Sequence, residues 1–302
     1  MFLHLITYAS LVIFALAVGI RAYRLFSMPP HLRWELYPVA HDKNAKYGGS
    51  YLEEIDWWEK PRYNSFVGML KGMIPEMIFI KALFVHNRPL WYRSFPFHFG
   101  LYILIAFLGL TGFNSFLQIV GADFGARLFR LLAQLTALTG WVGLGMATAG
   151  AAALLHRRLT NEELQDYTNL AHLFNLGFIL VTLLIAMLAF AVVDPTFAML
   201  RGYVATLLTF NAGAPLGSVL VGTAILLGSL LIAYIPLTHM SHFFTKWFMW
   251  DKIRWDDEPM TKGCAMEPLV NECLRQTVTW SGPHLKADGK KNWVDIATKE
   301  MK

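Results

Sequence analysis

Histidine is the residue type that could do chemistry in this chain. Ten occur in 302 residues, and two of them, His239 and His242, stand three apart in YIPLTHMSHFFTKWFMW, where an apolar run gives way to lysine and tryptophan. Two more lie inside apolar runs, His98 in SFPFHFGLYILIAFLG and His172 in LAHLFNLGFILV. Imidazole suits zinc, copper and iron, and haem iron takes axial histidine. The remaining six are set apart. His31, His41, His86, His156 and His284 fall in loops or at exposed ends, where a solvated histidine is the ordinary reading, and His4 reads as an interfacial residue at the start of the first apolar run.

What positions these side chains follows from composition. Hydrophobic residues make up 55% of the chain and charged residues 16%, against about 25% charged in soluble proteins. Runs long enough to cross a bilayer, which takes about 20 residues, occur near 2–25, 97–119, 129–155, 169–193 and 216–245. The expected fold is therefore an all-α integral membrane protein, a bundle of five transmembrane helices.

The first run has no basic residue ahead of it and carries Arg21 and Arg24 behind it, the reverse of a cleaved signal. It reads as an anchor with the N-terminus outside. Arg93 before the second run, Arg157 and Arg158 after the third and Lys246 after the fifth then fall on one side, which the positive-inside rule makes cytoplasmic. The net charge of +5 is an orienting bias, because no Lys/Arg block appears and nothing marks a nucleic-acid partner. Cys264 and Cys273, the two cysteines, lie in the cytoplasmic tail as reduced thiols, too few for the four thiolates of an iron–sulfur cluster.

The chain divides into a first span (1–26), a cytoplasmic insertion (27–94), a four-helix membrane core (95–246) and a cytoplasmic tail (247–302). The insertion carries HLRWELYPVAHD, YGGSYLEEIDWWEKPR and an amphipathic helix over VGMLKGMIPEMIFIKALF. Insertion and tail mix aromatics with charges of both signs, a composition that fits a partner-docking surface; helices resting at the headgroup boundary are the alternative. The external segment FAMLRGYVATLLTF at 197–210 is too short to span and reads as a helix lying in or dipping into the outer interface.

With alternating spans, His98, His172, His239 and His242 share one layer near the cytoplasmic boundary. No carboxylate accompanies them inside the membrane, whereas zinc hydrolysis and proton relays draw on such acids. The residues alone leave two readings: a b-type haem held between histidines of two helices, with Phe97, Phe99, Tyr102, Phe243 and Phe244 around it, or structural or transport histidines.

FHFGLYILIAFLG opening the second span, HRRLTNEEL closing the third and YIPLTHMSHFFTKW closing the fifth resemble the gamma, cytochrome b subunit of respiratory nitrate reductase. The insertion, with HLRWELYPVAHD, YGGSYLEEIDWWEKPR and SFPFHFG, is more similar to the related cytochrome b subunits of transmembrane redox complexes in sulfate-reducing bacteria. That resemblance implies a multi-pass protein of the bacterial inner membrane that passes electrons between membrane menaquinone and a cytoplasmic iron–sulfur subunit similar to heterodisulfide reductase. A periplasmic multihaem cytochrome c is a further implied partner.

The family holds two b haems between its second and fifth spans. By motif His98 and His242 match the axial pair of the cytoplasmic-side haem. At the outer ligand positions this chain has Phe107, Leu108 and Gly109 and, on the fifth span, Thr223 and Ala224, so the outer haem is not expected. Were one present, Asp123, Arg127 and Arg130 would be candidates for a quinone near it. His172 and His239 match no family position. They hold either a second cytoplasmic-side haem, or a haem propionate, a quinone carbonyl or backbone. Two rivals stand beside the conduit: a haem-free anchor or transporter subunit, and a cytochrome b of a hydrogenase or formate dehydrogenase.

Overall fold

The computed structural model describes residues 1–27, 55, 56, 59, 66–121, 125–242, 244, 245, 247, 262–264, 266–281 and 287–298. His31, His41, His284, Asp123, Phe243, HLRWELYPVAHD and most of YGGSYLEEIDWWEKPR lie outside these residues. Among the described residues the structure is helical with no named strand. Five helices are long and apolar enough to cross a membrane: α1 (Phe2–Ser27), α4 (Arg88–Ile119), α5 (Gly125–Thr160), α7 (Leu170–Val192) and α9 (Val219–Tyr234). Between them come α2 (Phe66–Ile78), α3 (Lys81–His86), α6 (Glu162–Gln165) and α8 (Ala198–Leu208).

The chain forms two compact units. One comprises 1–18 and 75–241, the other 19–74 and 242–302. In the second unit, α10 (Met266–Leu274) is followed by an antiparallel bridge between Thr277 and Asn292, and Asn292 caps α11 (Trp293–Ala297). Lys291 closes the turn before that bridge. Its ammonium and the main-chain N–H groups of Lys290 and Lys291 bond the Asp288 carboxylate and hold its pKa down to about 2. Cys264 precedes α10 and Cys273 lies in its last turn, both half-buried free thiols.

In the first unit local chemistry sets the helix starts. Asn87 caps α4 by accepting from Leu90 N–H at 3.1 Å, with proline in the first turn, and Asn169 caps α7 by accepting from His172 N–H at 3.0 Å. Ser218 caps α9 in the same way. The expected single helix over 67–84 is two, because Ile80 takes a left-handed conformation (φ 51°) between α2 and α3. Nothing in the local sequence announces this, since a β-branched residue disfavours that region.

α4 and α5 are joined by an antiparallel seam of small residues. A Cβ at Gly150 would strike the main chain of Phe97, one at Gly100 the main chain of Ala147, and one at Gly143 the Leu104 side chain at 2.9 Å. Glycine and alanine let the two backbones close, which is how helices associate where water supplies no driving force. α5 packs in turn on α7, and α7 on α9, while no comparable packing joins α4 to α9.

α8 packs on α4 and drives Phe197, Leu200 and Tyr203 into the core that Phe107 of α4 and Val221, Ala224 and Ile225 of α9 also line. It is more deeply seated than the expected interfacial helix. Asp194, 4% exposed, holds it there by accepting from Ala198, Met199 and Leu200 N–H at 2.7, 2.9 and 3.2 Å. Burial lowers the pKa of the Arg201 guanidinium, and the charge of Asp194 partly offsets this. Asp194→Ala is expected to destabilise the protein by about 2 kcal/mol, with Asp194→Asn costing less because one acceptor oxygen remains. Thermal unfolding of the two variants in detergent measures the difference.

The fifth apolar run is not one helix. Pro236, without a donor N–H, ends α9, and the chain continues as a 3₁₀ turn at Ile235–Leu237, an extended Thr238 and a second 3₁₀ turn at His239–Ser241. His239 opens that second turn and His242 follows it directly.

Candidate functional site

His98 follows Phe97 on α4 and is half-buried. Its Nδ1 lies 2.8 Å from the Ser94 carbonyl oxygen and 3.2 Å from the Ser94 hydroxyl. Because a carbonyl can only accept, Nδ1 carries the proton, and in the neutral ring the lone pair sits on Nε2. That is the tautomer of a metal-ligating histidine whose second nitrogen is anchored to backbone. Pro96 lies within the same turn, and Ser94 is 8% exposed, so the bond is set in a packed part of the helix.

The aromatics expected around a macrocycle divide differently. Phe97 turns into the α4–α5 seam as core packing, its ring edge-on to His98 with centroids 5.1 Å apart. Phe99 stacks on Phe95 at 5.1 Å, and the Tyr102 hydroxyl donates to the Met77 carbonyl at 2.8 Å. His242 is exposed and is the first residue of the second unit's C-terminal segment. Phe244 belongs to the same segment.

The structure brings His172 and His239 together. Their ring centroids are 5.5 Å apart and the planes meet at 86°. Arg158 Nη1 donates to His172 Nδ1 at 3.2 Å, and Asn175 Nδ2 lies 3.5 Å from His239 Nδ1. The Tyr234 hydroxyl donates to Asn175 Oδ1 at 2.6 Å. Arg158, Asn175 and Tyr234 escape a sequence reading centred on histidine. The usable signal is Asn175, a polar residue one turn beyond His172 inside an apolar run; it is 3% exposed and so must find partners. Along α5, Arg158 lies eight residues beyond Gly150, the residue that meets Phe97. At 1.5 Å per residue this is about 12 Å. The Arg158 main chain thus lies nearer the end of α5 than the level at which Gly150 meets Phe97.

At the positions where a second haem would need ligands the first unit is filled. Phe107 is 4% exposed and packs edge-on against Phe197, which is fully buried and also meets Phe190 and Trp141 at centroid distances of 4.6 and 5.5 Å. Gly140 makes room for this ring: a Cβ there would lie 2.8 Å from Phe197. These residues do not fit a haem. Arg127 and Arg130 are exposed.

His4, expected at an interface, is 4% exposed instead. It bonds the Thr206 hydroxyl at 2.8 Å, while Thr7 bonds the Tyr203 and Ser229 hydroxyls at 2.8 and 3.0 Å. Among the described residues no group of three or more His, Cys, Asp or Glu side chains forms a metal-binding cluster. No protein-family profile, no curated protein and no solved structure matches this chain.

Proposed function

We propose that the chain is a membrane-embedded b-type cytochrome subunit of a respiratory redox complex, carrying electrons between menaquinone and a cytoplasmic iron–sulfur partner. The observation that supports it best is the His98 imidazole, with Nδ1–H bound to the Ser94 carbonyl and the lone pair on Nε2. An axial ligand needs that tautomer, with its second ring nitrogen anchored to an acceptor. α4 packs less closely on α9 than on α5, which is compatible with a flat group between α4 and α9.

In this reading His98 would be an axial ligand of one haem b, with His242 the second ligand that the family resemblance implies, and the haem would supply a one-electron couple. Ser94 orients the His98 ring and raises its basicity. The glycine seam fixes the register of α4 through Phe97, and hence the position of His98. The α8 aromatics close the opposite half of the bundle to water and to a second macrocycle. The segments 27–94 and 247–302 offer the docking surface for the iron–sulfur subunit, with the bacterial inner membrane as the location.

A reduced-minus-oxidised visible spectrum of the purified protein tests this. The expected result is b-type bands with one haem per chain. A spectrum without b-type bands overturns the reading in favour of a haem-free anchor.

A further inference from the structure

We propose that His172 and His239, with the charge of Arg158 behind His172, form a donor site for one negatively polarised ligand oxygen, carried by a quinone carbonyl or by a haem propionate. The choice between those two carriers rests on the function proposed above; the donor site itself rests on the hydrogen bonds. A guanidinium has donors only, so its contact with His172 Nδ1 at 3.2 Å makes that nitrogen an acceptor. The Asn169 N–H reaches the same nitrogen at 3.5 Å. The ring proton of neutral His172 is therefore on Nε2. On the other side, the phenol of Tyr234 donates to Asn175 Oδ1 at 2.6 Å, which turns Asn175 Nδ2 toward His239 Nδ1 and sets the same tautomer there.

Two rings in contact at 5.5 Å are thus both prepared as Nε2–H donors, the opposite of His98. Neither can take iron through Nε2 in that form, so the arrangement speaks against a second haem on this pair. It is suited to an oxygen that gains charge, because two N–H groups and a nearby cation strengthen as that oxygen becomes more negative. Arg158 is half-buried, and among the described residues its side-chain partners are Thr168 and His172, neutral hydrogen-bonding groups rather than a carboxylate. Its charge therefore remains available to balance a ligand's. His239 is exposed and His172 half-buried, which leaves a route for a ligand to approach. Arg158 lies in the last turn of α5, where a propionate directed toward that end or a quinone headgroup would meet the group.

The test uses the full chain in nanodiscs, with menadione as the quinone probe, followed by tryptophan fluorescence, and the haem by its content and midpoint potential. For a quinone carbonyl, His172→Leu and His239→Gln each weaken menadione binding about tenfold, the worth of one hydrogen bond to a polarised oxygen, with haem content unchanged. For a propionate, menadione binding is unchanged, while the midpoint potential falls and its dependence on pH weakens in both variants. Arg158→Gln follows the same pattern as the histidines in either case. Loss of haem from the histidine variants, or no change in either readout, overturns the proposal. Should the wild-type chain carry no haem, the menadione arm still reports on the donor site, so the two proposals fail separately.

Discussion

Alanine in place of His98 is expected to remove the b-type bands from the purified protein while leaving the chain folded and inserted. The imidazole is half-buried, alanine is the best helix former, and the α4–α5 contact is made by Phe97, Gly100 and Leu104 rather than by this ring. The Ser94 carbonyl that loses the Nδ1–H remains within the helix. Stability therefore changes little, and haem per chain falls to the background level. Ser94→Ala separates ligation from orientation. It removes the hydroxyl 3.2 Å from Nδ1 but keeps the carbonyl at 2.8 Å, so haem is retained. Full haem content in His98→Ala would sink the assignment of this residue as a ligand.

The second large effect concerns two glycines of α5 only five residues apart. Glycine to alanine within a helix ordinarily gains up to about 1 kcal/mol. At Gly145, where a Cβ meets nothing within 4 Å, that gain is expected in full. At Gly150 the same methyl meets the main chain of Phe97, which cannot rotate away, so α4 and α5 must part. Overpacking of this kind costs about 1–3 kcal/mol and outweighs the propensity. Because Phe97 precedes His98, Gly150→Ala is also expected to loosen haem binding before the protein melts. Thermal unfolding in detergent, with haem absorbance followed in parallel, gives shifts of opposite sign for the two variants. Equal shifts would show that the seam is not tight.

Much of the fold was legible because apolar length is a strong signal. All five expected runs contain a helix long and apolar enough to cross a membrane, and the segment over 197–210 forms the short helix α8. The failures have identifiable causes. The run through 216–245 stays apolar across Pro236, so composition concealed a break that the missing N–H favours. Ile80 and Phe197 adopt positive φ values with no glycine or asparagine to mark them. For the candidate site, residue type and position pointed to His98, His172, His239 and His242, of which the structure brings His172 and His239 into contact. Tautomers were out of reach, because they depend on Ser94, Arg158, Asn175 and Tyr234, three of which lie on other helices or elsewhere in the chain from the ring they set. The buried setting of His4 depended on partners about two hundred residues away.

That last distance has a consequence in time. The buried polar groups of α1, His4 and Thr7, bond Thr206, Tyr203 and Ser229, and Tyr8 donates to the Leu207 carbonyl at 2.6 Å. These contacts of α1 cannot form until α8 and most of α9 have been made, and until then the Thr7 hydroxyl has the Leu3 carbonyl of its own helix. The α4–α5 hairpin needs only residues close to each other in the chain. Its closure can therefore precede the seating of α1.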